Sequence, residues 1–182
     1  MLSEEKIAET IATTKKWVET IIIGLNLCPF AKSPFQHNKI RFSVIDAKNI
    51  NGFLELFVKE LELMEQDETI ETTLLILPAL GNITEHFLPY FQLCEKTIVF
   101  NQAQKKFQLV SFHPFARFTG IPANSARNLI AMAPYPIVHI LRTPSVENLG
   151  AAMKKDVQTE NDKRLKKMSQ TEVQALWKKI EE

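Results

Sequence analysis

The chain reads as an α+β fold of the α/β-like kind: a four-stranded mixed sheet packed by helices, followed by a helical C-terminal segment. Three observations predict this. Four short apolar segments, "IRFSVID", "TTLLILP", "KFQLVSFHP" and "PIVHILRTP", have strand character. Segments with apolar residues at three- and four-residue steps lie between most of them, a pattern that calls for at least one parallel βαβ pair. The tail is charged and helical in pattern. At 182 residues a single domain, 1–182, is expected, with 144–182 as a charged extension packed on the body or on a partner subunit.

The first helix has Ser3 as its cap, Glu4 and Glu5 at the positive end of its dipole, and Ile7, Ile11, Val18 and Ile21 or Ile22 on one stripe. Gly24 is its natural stop, by taking the left-handed conformation. In "IRFSVID", Ile40, Phe42 and Val44 alternate with Arg41 and Ser43, as in a strand with one wet face. Asn51 caps a second helix carrying Phe53 or Leu54, Phe57, Leu61 and Met64. The unbroken run Leu74 to Leu77 marks a central strand covered on both faces.

Asn82 and Glu85 form a capping-box pattern before Phe87, Phe91, Cys94 and Ile98, and Pro89 is expected to kink or divide that helix. The third strand places Phe107, Leu109, Ser111 and His113 on one face, with Val110 and Phe112 on the other. In the fourth, Ile137, His139 and Leu141 share a face. "ANSARNLIAMA" holds one short helix between these strands. Thr143 and Pro144 start another, and Ser169 with Glu172 form a second capping box. Val173, Leu176, Trp177 and Ile180 then need an apolar partner.

A formal net charge of +1 with interspersed signs offers no broad positive field, so nucleic acid is not an expected partner. Two cysteines give no disulfide framework and no Cys-x-x-Cys pair, which fits a reducing compartment. "MLSEEKIAET" lacks the features of a signal peptide, and the apolar stretch from Ile21 to Phe30 is too short and too interrupted to span a membrane. A cytoplasmic protein is expected. The Gly-rich dinucleotide fingerprint, the phosphate-binding Gly-Lys-Ser/Thr loop, His-Glu-x-x-His and Gly-x-Ser-x-Gly are all missing.

What remains is a set of polar residues in unusual settings. Cys28 lies in the apolar loop "GLNLCPF", His113 at a strand end before Pro114, and His139 within an apolar strand, with Arg117, Arg127 and Arg142 close to the histidines in sequence. Strand ends are where α/β sheets usually place ligands. The segments "WVETIIIGLNLCPFA", "TTLLILP", "VSFHPFARFTG" and "PYPIVHILR" resemble, in order, the blocks of the bacterial family called domain of unknown function 1415. The resemblance runs from Trp17 to about Val146 and implies a small bacterial cytoplasmic protein without an assigned activity. It places Leu27 to Phe30, Phe112 to Pro114, Pro134 to Pro136, His139 and Arg142 on family motifs. The chain departs from the family's pattern at Ala131, Met132 and Ala133, where an Asn-Arg-Ser segment is expected, and at Thr143, where an acidic residue is. If those groups bind a ligand in relatives, the site here is altered.

Each candidate has two readings. Cys28 is a nucleophile or redox thiol served by a histidine base, or it is packing; a helix C-terminus and apolar surroundings both raise a thiol's pKa, which favours packing. His113 is suited to acid/base work, or it ties down a loop carbonyl. His139 shares its face with aliphatic residues and reads first as a satisfied core histidine, second as a ligand-binding group. Arg117, Arg127 and Arg142 could hold a carboxylate or phosphate, or cover a sheet edge. Metal binding by His113, His139 and Cys28 would need a coincidence the spacing does not indicate, and no cofactor is named by the sequence.

The leading expectation is a protein that binds or transforms a small anionic molecule in a Cys/His/Arg-lined pocket at strand ends. His113 and Cys28 would be its catalytic pair, with Arg117, Arg127, His139 and Arg142 binding ligand. The rival is a non-enzymatic interaction or scaffold protein, including a homodimer joined through its C-terminal helices. The sequence leaves open whether the chain is an enzyme.

Overall fold

In the computed structural model, residues 2–46, 49–81, 83–148 and 151–182 are described, with the backbone alone at 151–154. Helix α1 (Glu4–Trp17) continues into a π-helix (Val18–Ile23), and a short α2 (Lys32–Gln36) follows the Cys28 loop. Then come β1 (Ile40–Val44), α3 (Ile50–Gln66), β2 (Thr72–Ile76), α4 (Thr84–Phe100) and β3 (Phe107–Phe112). A 3₁₀ turn (Ala126–Ile130), β4 (Ile137–Arg142), α5 (Thr143–Glu147), α6 (Ala151–Lys166) and α7 (Gln170–Glu181) complete the chain.

The sheet order is β1-β2-β4-β3. β1 and β2 are parallel, joined through α3, and β4 is antiparallel to both β2 and β3. This is the mixed sheet with one parallel βαβ pair that the alternating pattern calls for. All five residues of β2 are buried, as expected for a central strand without a polar face.

Two apolar cores flank the sheet. On one face Leu75, Phe107, Val138 and Ile140 meet Phe53, Phe57 and Met64 of α3 and Phe87, Cys94 and Ile98 of α4. On the other, Leu74, Ile76 and Ile137 meet Trp17, Val18, Ile21 and Ile22, with Leu165 of α6 and Ile180 of α7. The apolar stripe of α7 is thus spent on the body, where Val173, Leu176 and Trp177 pack against the same cluster. Its N-terminus carries the complete Ser169–Glu172 capping box.

Four local expectations differ from the structure or fall outside it. Gly24 is right-handed (φ −60°), and the left-handed residue closing this segment is Asn26 (φ 49°). The π-helix carries the chain past Gly24, so the reversal is deferred by two residues. The cap of α3 is Asn49, which accepts from Gly52 N–H at 2.9 Å, with Asn51 already inside the helix. Helix α4 runs unbroken through Pro89. Lying early in the helix, that proline removes only the one bond that would return to Glu85. The capping pair with Asn82 lies outside the described residues.

Candidate functional site

Cys28 and His113 are on opposite sides of the sheet. His113 directly follows β3 on the face of α3 and α4, 3% exposed, with its ring stacked on Phe87 at 5.7 Å. Its backbone N–H donates to Ala131, and its Nδ1 accepts the Phe115 N–H at 3.1 Å. Nδ1 is therefore the unprotonated nitrogen. The proton sits on Nε2, which is buried without a partner among the described residues. Burial lowers the pKa of His113, opposed by the charge of Glu85. This ring holds a loop in place and does not meet the thiol.

Cys28 shares a cavity with the other strand histidine. The cavity, about 350 Å³, lies over the α1 face of the sheet, and Trp17, Ile22, Leu27, Leu74, Phe112 and Leu141 form much of its wall. Strand alternation explains why: Thr72, Leu74, His139, Leu141, Val110 and Phe112 all fall on this face. The π-helix supplies Val18 and Ile22 from above. π-Turns of this kind are frequent at functional sites.

The tautomer of His139 follows from its partner. Thr72 Oγ1 donates its only proton to the Ile140 carbonyl at 2.6 Å, so the Nε2–H of His139, 2.6 Å away, donates to that hydroxyl. Nδ1 is left as a lone-pair acceptor with no partner among the described residues. Enclosure lowers the ring's pKa to about 4, so it is neutral near pH 7. His139 is part of the cavity's lining.

Cys28 is exposed and can be reached from outside. The apolar surroundings still push its thiol pKa up, opposed by hydrogen bonds from the backbone of Phe30 and Ala31. No cation among the described residues contributes to the shift, so the resting group is a thiol. The loop that carries it is pinned from α6: Asn161 Nδ2 donates to the Leu27 carbonyl at 2.7 Å, and Arg164 donates to the carbonyls of Leu25 and Asn26.

The arginines are dispersed. Arg142 borders the cavity, but its guanidinium donates to the carbonyls of Met64, Asp67 and Ile70, capping the C-terminus of α3. Arg127 pairs with Asp162 at 2.6 Å, and Arg117 is exposed without a partner among the described residues. Thr143 is buried, with its hydroxyl donating to Gln104. Met132 serves through its backbone, accepting from Trp17 Nε1 at 3.0 Å. Among the described residues no group of three His, Cys, Asp or Glu side chains could hold a metal, and no helix is long and apolar enough to cross a membrane.

Sequence reasoning missed Thr72, Trp17 and Asn161 as partners of this site. Each works through a contact more than sixty residues away in the chain, so no local pattern marks it. A half-buried ion pair on the other face, exposed Arg41 with buried Glu60 at 2.8 Å and Ser43 alongside, was equally invisible. In comparison with known proteins, the model of a family described as "Protein of unknown function (DUF1415)" matches residues 9–175. No curated protein and no solved structure matches the chain.

Proposed function

The chain belongs to the DUF1415 family, whose description assigns no activity, and from its own geometry we propose that it binds a small, mainly apolar molecule in the cavity above the sheet. The molecule carries one O–H or N–H donor, directed to Nδ1 of His139, and lies beside the Cys28 thiol. The observation that carries this reading is the combination of an aliphatic and aromatic wall with one histidine nitrogen left as an acceptor. Pockets that hold small ligands are of this type, apolar with a few placed polar groups, and start at about 300 Å³.

A neutral ligand is favoured over an anion. His139 is uncharged near neutral pH, and the guanidinium of Arg142 is committed to α3. Binding, rather than turnover, is the function proposed, since among the described residues no cation ionises the resting thiol.

The test uses Trp17 as reporter in a Trp177→Phe background. Its emission is followed on titration with 1-octanol and with methyl octyl ether, which has the same body without the donor. We expect the alcohol to bind about 3- to 10-fold tighter, the worth of one hydrogen bond. In His139→Leu that preference should vanish while binding of the ether persists. No change in emission with either probe, or an unchanged preference in the variant, rejects the proposal.

A further inference from the structure

A second cavity, about 530 Å³, opens between α6 and the loop before the 3₁₀ turn, with Ile130 as a wall common to both cavities. Its polar side includes Arg127 and Asp162, which form an ion triad with Lys166 just outside the lining. Arg127 Nε is 2.6 Å from one oxygen of Asp162 and Lys166 Nζ is 2.6 Å from the other, so two cations share one carboxylate and a positive charge remains.

The preceding residue, Asn161, also lines the cleft and is only 3% exposed. Its Nδ2 is used on Leu27, and that bond fixes which end of the amide is the oxygen. Oδ1 takes no hydrogen bond from the described residues. That oxygen keeps some solvent access, so a donor entering the cleft can reach it. Ile121, Ile130 and Leu165 supply an apolar floor beside these groups.

We propose that this cleft is a second binding site, for a small carboxylic acid with an apolar body and an O–H or N–H donor near the carboxyl group, the pattern of an α-hydroxy or α-amino acid. The carboxylate meets Arg127, where a charge-assisted pair forms against the uncompensated cation. The donor meets Asn161 Oδ1. Arg127 and Asn161 line the same cleft, so one small ligand can present its carboxylate to the first and its donor to the second. The apolar body covers Ile121 and Leu165. This site is distinct from the cavity at Cys28 and does not depend on what that cavity binds.

Calorimetric titration with 2-hydroxy-4-methylpentanoate tests it, alongside 4-methylpentanoate, which lacks the donor, and 2-hydroxy-4-methylpentanamide, which lacks the charge. We expect the hydroxy acid to bind about tenfold tighter than either. Arg127→Gln should erase the preference for acid over amide. Thr119→Phe, at an exposed position on the rim, should block all three ligands without unfolding the chain, and keeps the test decisive if Arg127→Gln is unstable. Absence of binding at millimolar acid, equal affinity for acid and amide, or unchanged binding in Thr119→Phe overturns the proposal.

Discussion

His139 and Arg142 lie three residues apart on β4, and strand alternation sends their side chains to opposite faces, one into a cavity and the other to a helix end. Both were visible as polar residues in an apolar strand, but their roles were not, because Thr72 and the last turn of α3 are distant in sequence. The histidine's burial has a consequence for stability. Its folded pKa of about 4 lies below the ordinary 6.5, so the unfolded chain takes up the proton first as pH falls. The stability from the neutral ring is complete above pH 6.5, declines between 6.5 and about 4, and is then constant. His113, also lowered by burial, acts in the same direction. Urea unfolding at pH 8 and pH 5 should show a loss of about 2 kcal/mol from His139 alone. His139→Gln should remove that part of the pH dependence; a slope unchanged by the substitution would rule this account out.

At the scale of elements, the ends of helices were read less well than their faces. The stripe of α3 and the double-sided burial of β2 follow from periodicity, which depends only on neighbouring residues. The end of α1 depends on hydrogen-bond register, and there the chain enters a π-helix instead of stopping at Gly24. Gly24 is needed for space rather than handedness. A Cβ there would stand 2.3 Å from the Thr20 carbonyl oxygen, a backbone atom that cannot yield cheaply. Gly24→Ala should therefore cost about 1–3 kcal/mol, as overpacking does. Gly52→Ala, where the new Cβ meets only Asn49 Oδ1 at an ordinary 3.6 Å, should be neutral or gain up to about 1 kcal/mol. Thermal and urea unfolding of the two variants gives the comparison. Equal effects would mean that the π-helix does not require glycine.

For the whole molecule, the decisive feature is the difference between the two faces of the sheet. The α3 and α4 face is filled by large buried side chains, whereas the α1 face holds the cavity beside Cys28 and His139. The alternation that divides them was legible from sequence; the cavity was not, because it is the space left between the α1 segment, the sheet and the Cys28 loop. Leu74 and Leu75 compare the faces directly, being adjacent on β2, both buried, and pointed to opposite sides. Truncating Leu75 opens a new void in a closed core, for which about 3–5 kcal/mol is expected. Leu74 already borders empty space, so Leu74→Ala loses contacts on one side fewer and should fall near the lower end, about 2–3 kcal/mol. The two should also separate in binding. Leu74→Ala enlarges the cavity and should shift preference from 1-octanol toward a bulkier alcohol such as 1-decanol, while Leu75→Ala leaves the ratio unchanged. Urea unfolding with Trp17 titration measures both quantities on the same samples. If the two variants lose equal stability and neither alters the ratio, the α1 face is packed as tightly as its opposite, and the cavity is not the place where this protein meets its ligand.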